Sequence, residues 1–196
     1  MKLVANKPNT LYVAFLRGIN VGGYKKVPMS DLKRIFEGMG FGNVRTLLAS
    51  GNVIFDFDNT SETILEKRIE SNLENAFGFP IKTLIIEMND IKNIVASEPF
   101  KGIEVTQQMR LFVTLLNRKP TAKLTVPFTT PDGSFRILQV TDKAVFSVFT
   151  VMSAPWSAGV NLIEKEFGPD VTTRNWNTIL KVARGEKIFE IPVDKA

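Results

Sequence analysis

Short apolar runs and longer amphipathic stretches alternate along the chain, and their two periods separate strands from helices. Leu11-Tyr12-Val13-Ala14-Phe15-Leu16 is almost wholly apolar and predicts a first strand. A Gly-rich stretch, Gly18 to Val27, follows it. Met29, Leu32, Ile35, Phe36 and Met39 then share one helical face, with Pro28 and Ser30-Asp31 suited to a first turn. Gly38 and Gly40 end that helix. Residues 43–50 and 53–57 predict two strands, joined through Gly51-Asn52, which tolerates the positive φ of a two-residue turn. Ser61 is placed to cap a second helix to about Phe77, with Leu65, Ile69, Leu73, Ala76 and Phe77 as its buried stripe. Gly78 and Pro80 close it, and residues 81–86 predict a fourth strand. The order is β-α-β-β-α-β.

The second half repeats much of this after a short connecting helix over residues 89–97. Residues 111–116 predict a strand, and residues 120–126 stand where the first helix stood. Residues 135–140 and 144–151 predict a hairpin around Asp142-Lys143. A helix over residues 158–167 turns Val160, Ile163 and Phe167 inward. Val171-Thr172 makes at most a short strand before a last helix over residues 174–183. Arg45-Thr46-Leu47-Leu48-Ala49-Ser50 also lines up with Arg136-Ile137-Leu138-Gln139-Val140-Thr141. Together these predict an α+β chain of two ferredoxin-like βαββαβ repeats with an extra C-terminal helix. The expected divisions are a flexible lead over residues 1–10, a first repeat over 11–88, a helical connector over 89–108, a second repeat with the last helix over 109–185, and a tail over 186–196. Several strands are apolar on both faces, so the two antiparallel sheets are expected to pack together or join.

Composition narrows the chemistry. The 196 residues include no cysteine and no histidine. That excludes disulfides, thiolate nucleophiles, Cys- or His-based metal sites and every Ser–His or Cys–His pair. Catalysis would have to rest on Asp, Glu, Lys, Tyr or an oxygen-bound metal. No EF-hand pattern is present and no metal site is expected, while the cofactor, if there is one, is left open. Whether the chain is an enzyme is left open. No apolar run is long enough to span a bilayer, and the N-terminus lacks a signal-peptide apolar core. A cytoplasmic location and no membrane partner are therefore expected. The net charge is +5, and residues 1–30 hold Lys2, Lys7, Arg17, Lys25 and Lys26 with no acid.

Three stretches carry candidate chemistry. Arg17-Gly18-Ile19-Asn20-Val21-Gly22-Gly23-Tyr24-Lys25-Lys26 lies between a strand and a helix, the usual place of a phosphate-cradling loop. It is not a Walker A loop, because Tyr24 stands where lysine is required, and its spacing does not fit GxGxxG. The alternative is a connection whose lysines are merely solvated. Thr172-Thr173-Arg174-Asn175-Trp176-Asn177-Thr178 would place Arg174, Asn175 and Asn177 at a positive helix terminus, or simply cap a helix anchored by Trp176. Met152-Ser153-Ala154-Pro155-Trp156-Ser157 offers a ligand-lining loop, or a cap by Ser157 with Trp156 as a staple. Tyr12 suits base stacking on a sheet, but Asn52 and Ile54 fill the third-strand aromatic positions, so Tyr12 reads as a core residue. Glu62, Glu66, Glu70 and Glu74 follow i, i+4 spacing and read as a solvated helix face.

Four motifs in order carry a resemblance. They are Phe15-Leu16-Arg17-Gly18-Ile19-Asn20-Val21-Gly22-Gly23, Val27-Pro28-Met29, Ala49-Ser50-Gly51-Asn52-Val53 and Thr173-Arg174-Asn175-Trp176-Asn177-Thr178. Over roughly residues 11–185 the chain resembles the bacterial domain-of-unknown-function family sixteen ninety-seven. The resemblance implies a duplicated ferredoxin-like fold and transfers no activity or catalytic residue.

The leading expectation is therefore binding of a small anionic or phosphate-containing ligand, lined by Arg17, Asn20, Gly22, Gly23, Lys26, Arg174, Asn175 and Asn177. The alternatives are a nucleic-acid-binding module that uses the basic N-terminal segment, and a structural or protein-interaction domain. The sequence fixes neither the ligand nor the oligomeric state. Nor does it say whether the loop and the last helix start share one pocket.

Overall fold

The computed structural model describes residues 9–122, 124–151 and 156–185, without the side chains of 156–158. The expected tail, nearly all of the expected lead, and the Met152–Ser157 proposals lie outside that description. Over the described residues the chain is α+β, with two antiparallel sheets and five helices. It divides into two compact units, residues 1–85 with 184–196, and residues 86–183.

The first unit runs β1 (Thr10–Leu16), α1 (Met29–Gly38), β2 (Gly42–Leu47), β3 (Asn52–Phe57), α2 (Glu62–Phe77) and β4 (Thr83–Glu87). Its sheet has the order β2-β3-β1-β4. Alternation along β1 sends Tyr12, Ala14 and Leu16 to one face, where they pack with Phe55, Leu32, Phe36, Leu65, Ile69 and Leu73. Those helical residues are the stripes that the 3.6-residue period predicts. Gly78 stops α2 in the left-handed conformation, and its N–H reaches Glu74 O. Ser61 is the N-cap residue of α2, but its side chain makes no capping hydrogen bond. Tyr12 is fully buried beside Phe55, and its hydroxyl both donates to Thr60 O and accepts from Thr60 N–H. A ring inside the helix-covered core cannot stack bases, which agrees with its reading as a core residue.

Two local expectations for this unit need correction. The β2–β3 turn is not centred on Gly51-Asn52. Leu47 pairs with Asn52, so the turn is Leu48-Ala49-Ser50-Gly51, with positive φ at Leu48 and Gly51. Asn52 is the first residue of β3; its buried amide donates to Leu47 O and Ser50 Oγ and closes the turn. Nor do all the α2 glutamates merely face water. Glu66 Oε1 accepts from Ile85 N–H at 3.0 Å, and Glu70 Oε1 accepts from Thr83 N–H at 2.9 Å. Alternate N–H groups of an edge strand point outward, and these two carboxylates satisfy them.

The second unit contains α3 (Met88–Ala96), β5 (Met109–Leu115), β6 (Phe128–Thr129), β7 (Phe135–Val140), β8 (Ala144–Thr150), α4 (Trp156–Phe167), β9 (Thr172–Asn175) and α5 (Trp176–Arg184). The sheet order is β6-β7-β8-β5-β9. Phe135, Ile137, Val145 and Phe149 pack with Ile163 and Phe167 of α4. A Cβ on Gly159 would lie 2.6 Å from the Phe135 ring, so glycine permits this close approach of helix to sheet. Phe146, one residue out of phase with Val145, meets Phe100 instead.

Here the expected last helix starts too early. Thr172 to Asn175 form β9, paired antiparallel with β5 through Thr172–Leu115 and Asn175–Phe112. β-Branched threonines favour this pairing, and the Thr114 and Thr173 hydroxyls hydrogen-bond across it at 2.8 Å. The cap of α5 is consequently neither threonine: Asn175 Oδ1 accepts from Asn177 N–H at 2.9 Å.

Candidate functional site

The Gly-rich loop of the first unit is a small closed hairpin. Val21 and Tyr24 form an antiparallel bridge around Gly22-Gly23. Tyr24 N–H donates to Val21 O, and Asn20 N–H donates to Lys25 O, both at 3.2 Å. Five residues take positive φ: Gly18, Asn20, Gly22, Gly23 and Lys25. The Asn20 side chain locks the base of the hairpin. Its Nδ2 donates to Val27 O at 3.0 Å and Ala49 O at 2.8 Å, and its Oδ1 accepts from Val27 N–H at 2.8 Å.

The same base meets the β2–β3 turn. Leu16 N–H donates to Gly51 O at 2.8 Å, and buried Ile19 lies against Gly51. The Arg17–Gly23 and Ala49–Val53 motifs, distant in sequence, are thus one interlocked structure. Asn20 faces the protein's own backbone, and the N–H groups of Asn20, Tyr24 and Val27 bond within the loop. A phosphate cradle would need such groups directed at a ligand. Half-buried Arg17 follows β1, and its N–H donates to Lys82 O. Gly22 and Gly23 are exposed at the tip, and Lys26 is exposed beside it. Lys25 Nζ donates to Pro80 O at 3.2 Å and lies 5.6 Å from the Phe79 ring centre.

The Thr173–Thr178 motif lies in the second unit. Arg174 pairs with Val113 across the sheet, and its Nη1 donates to Thr173 O at 3.1 Å. Asn175, Trp176 and Asn177 line a cavity of about 890 Å³. Its apolar wall is Val95, Phe100, Val105, Met109, Leu111 and Leu180, and Glu98, Lys101, Thr106 and Arg110 supply its polar parts. Trp176 meets Phe100 edge-on at 5.2 Å, and Phe100 meets Phe146 edge-on at 6.0 Å. These edge-on contacts hold the indole in place. Among the described residues, neither the Trp176 indole N–H nor the Asn177 side-chain amide makes a hydrogen bond. Arg110 Nη1 donates to Gln107 O at 2.6 Å and Met109 O at 2.8 Å. Its Nε and Nη2 groups make no hydrogen bond among the described residues. Lys101 pairs with Glu98 at 2.7 Å.

Asn175 and Asn177 were legible as candidates from their motif. The rest of the lining was not, because residues 98–110 carry no periodic pattern and meet the motif only through the pairing of β5 with β9. Among the described residues, no group of three or more acidic side chains could hold a metal ion. No described helix is long and apolar enough to cross a membrane.

The model of a family described as "Protein of unknown function (DUF1697)" matches residues 10–146. No curated protein matches the chain. Among solved structures, the chain is similar to a conserved bacterial protein, SP0830, from Streptococcus pneumoniae. That likeness has a TM-score of 0.66 at 20% identity, covering 90% of this chain and 98% of that one. At such identity the likeness concerns the fold.

Proposed function

Because the chain belongs to this family of unknown function, no activity comes with membership, and we propose from its geometry that it binds a small molecule in the second unit's cavity. The ligand has a planar or apolar body and an anionic or hydrogen-bond-accepting group. The observation that carries this is the cavity beside Trp176. Its volume lies within the roughly 300–1,000 Å³ of small-molecule sites, and it combines apolar walls with a few polar groups, as such sites do. Met109, Leu111, Leu180 and Trp176 are only half-buried, so covering them is favourable at about 25 cal/mol per Å². The indole N–H and the Asn177 amide supply donors, and Arg110 supplies a cation at the rim. The anionic-ligand expectation is thereby kept but moved away from the Gly-rich loop, whose Asn20 is engaged internally.

The test is direct. In a Trp156→Phe background, Trp176 is the sole tryptophan. Titration with a panel of aromatic carboxylates and nucleotides should change its emission and raise the melting temperature. Arg110→Ala should weaken the anionic members about tenfold or more and leave neutral ones unchanged. A panel that moves neither signal would reject the proposal.

The same proposal includes a duplicated ferredoxin-like origin and a cytoplasmic setting. Supporting the duplication, β2-β3-β1-β4 and β7-β8-β5-β9 are the same order of corresponding strands. Among the described residues, the second unit has no helix between β5 and β7 and carries the short β6 there instead.

A further inference from the structure

We infer that the hairpin tip of the first unit contacts single-stranded nucleic acid, with Tyr24 as the stacking platform and Lys26, assisted by Lys25, meeting phosphate. This is independent of the cavity in the second unit. Tyr24 is 81% exposed and Val21 is 69% exposed, above the other large hydrophobics exposed among the described residues. They are cross-strand partners, so their side chains stand side by side. The Tyr24 ring also rests near the turn backbone: a Cβ on Gly22 would lie 3.9 Å from its Cδ2. Exposure here does not reflect a slack loop. The Asn20 amide, the cross-hairpin bonds and the seating of Ile19 hold the tip in place. A rigidly presented, solvent-facing aromatic loses little entropy when a base stacks on it.

Charge selects the partner. Lys25 and Lys26 follow Tyr24 directly, and no acid occurs before Asp31. Nucleic acid supplies both features the tip can meet, a π-face and a phosphate one backbone unit away. A specific protein interface buries about 800 Å² per partner, more than a four-residue tip offers. Membrane insertion scales with buried apolar area, and one valine and one tyrosine supply little of it.

The experiment is fluorescence anisotropy of a labelled oligothymidylate with the full chain at about 50 mM salt, where phosphate contacts dominate. Binding should weaken steeply as salt rises. Tyr24→Ala should weaken it about tenfold with an unchanged melting temperature, because the ring is exposed. Lys26→Glu should weaken it and flatten the salt dependence. No binding by the unaltered chain overturns the inference, and so does binding that neither substitution changes. Tyr24-dependent binding to phosphatidylserine vesicles, with none to the oligonucleotide, overturns it in favour of a membrane.

Discussion

Gly51 shows how much a single position can hold. Its φ is +74°, and a Cβ there would lie 2.5 Å from Ile19 Cδ1 and 3.0 Å from Leu16 Cβ. An alanine would incur a left-handed backbone penalty of about 1–2 kcal/mol and a packing strain of about 1–3 kcal/mol. Gly51→Ala is therefore expected to lower unfolding stability by about 2–5 kcal/mol, measured in urea. It should also loosen the Gly-rich hairpin, seen as faster amide exchange over residues 18–27. A fully stable variant with a protected hairpin would show that Ile19 is not seated there. The sequence marks Gly51 as a turn residue because glycine tolerates positive φ. It does not mark the contact with Ile19, which depends on β1 and β3 lying side by side. The role of Asn20 was hidden for the same reason. An asparagine in a basic Gly-rich loop suggests a ligand, and only the position of Ala49 shows where its amide goes.

Elements were legible where one period ran unbroken. α1 and α2 fall where their apolar stripes predict, and Gly78 ends α2 as expected. β9 is not visible in the sequence because Thr172 to Asn175 have no alternation of their own; pairing with β5 makes them a strand. β6 has two residues and is too short for any pattern. The contact between α4 and the second sheet gives an element-scale prediction. Replacing Gly159 with alanine gains about 1 kcal/mol of helix propensity. It also places a methyl group 2.6 Å from Phe135, where overpacking costs about 1–3 kcal/mol. The cost wins if the ring is held, and Phe135 is buried in the sheet. Gly159→Ala should thus reduce the melting temperature, and a combined Gly159→Ala, Phe135→Leu variant should recover part of the loss. Equal destabilisation of both would place the strain elsewhere.

At the scale of the molecule, the absence of histidine and cysteine leaves no side chain with an ordinary pKa between about pH 5 and 8. Thermal stability should therefore be nearly flat across that window, and a melting-temperature step near pH 6.5 would contradict this. Acid is different. Hydrogen bonds from the Thr130 and Ser134 hydroxyls hold the Asp132 carboxyl below its ordinary value. A lowered folded-state pKa stabilises above the unfolded value of about 3.9 and ceases to do so as pH falls through the folded value. The unaltered chain and Asp132→Asn should accordingly differ at neutral pH and converge in acid. Finally, Glu66 and Glu70 occupy the outward N–H groups of β4, where an added strand from another chain would bind. A helix thus blocks intermolecular growth along that border of the first sheet. Any fibril built from this protein would have to begin at another edge, or after α2 had come away.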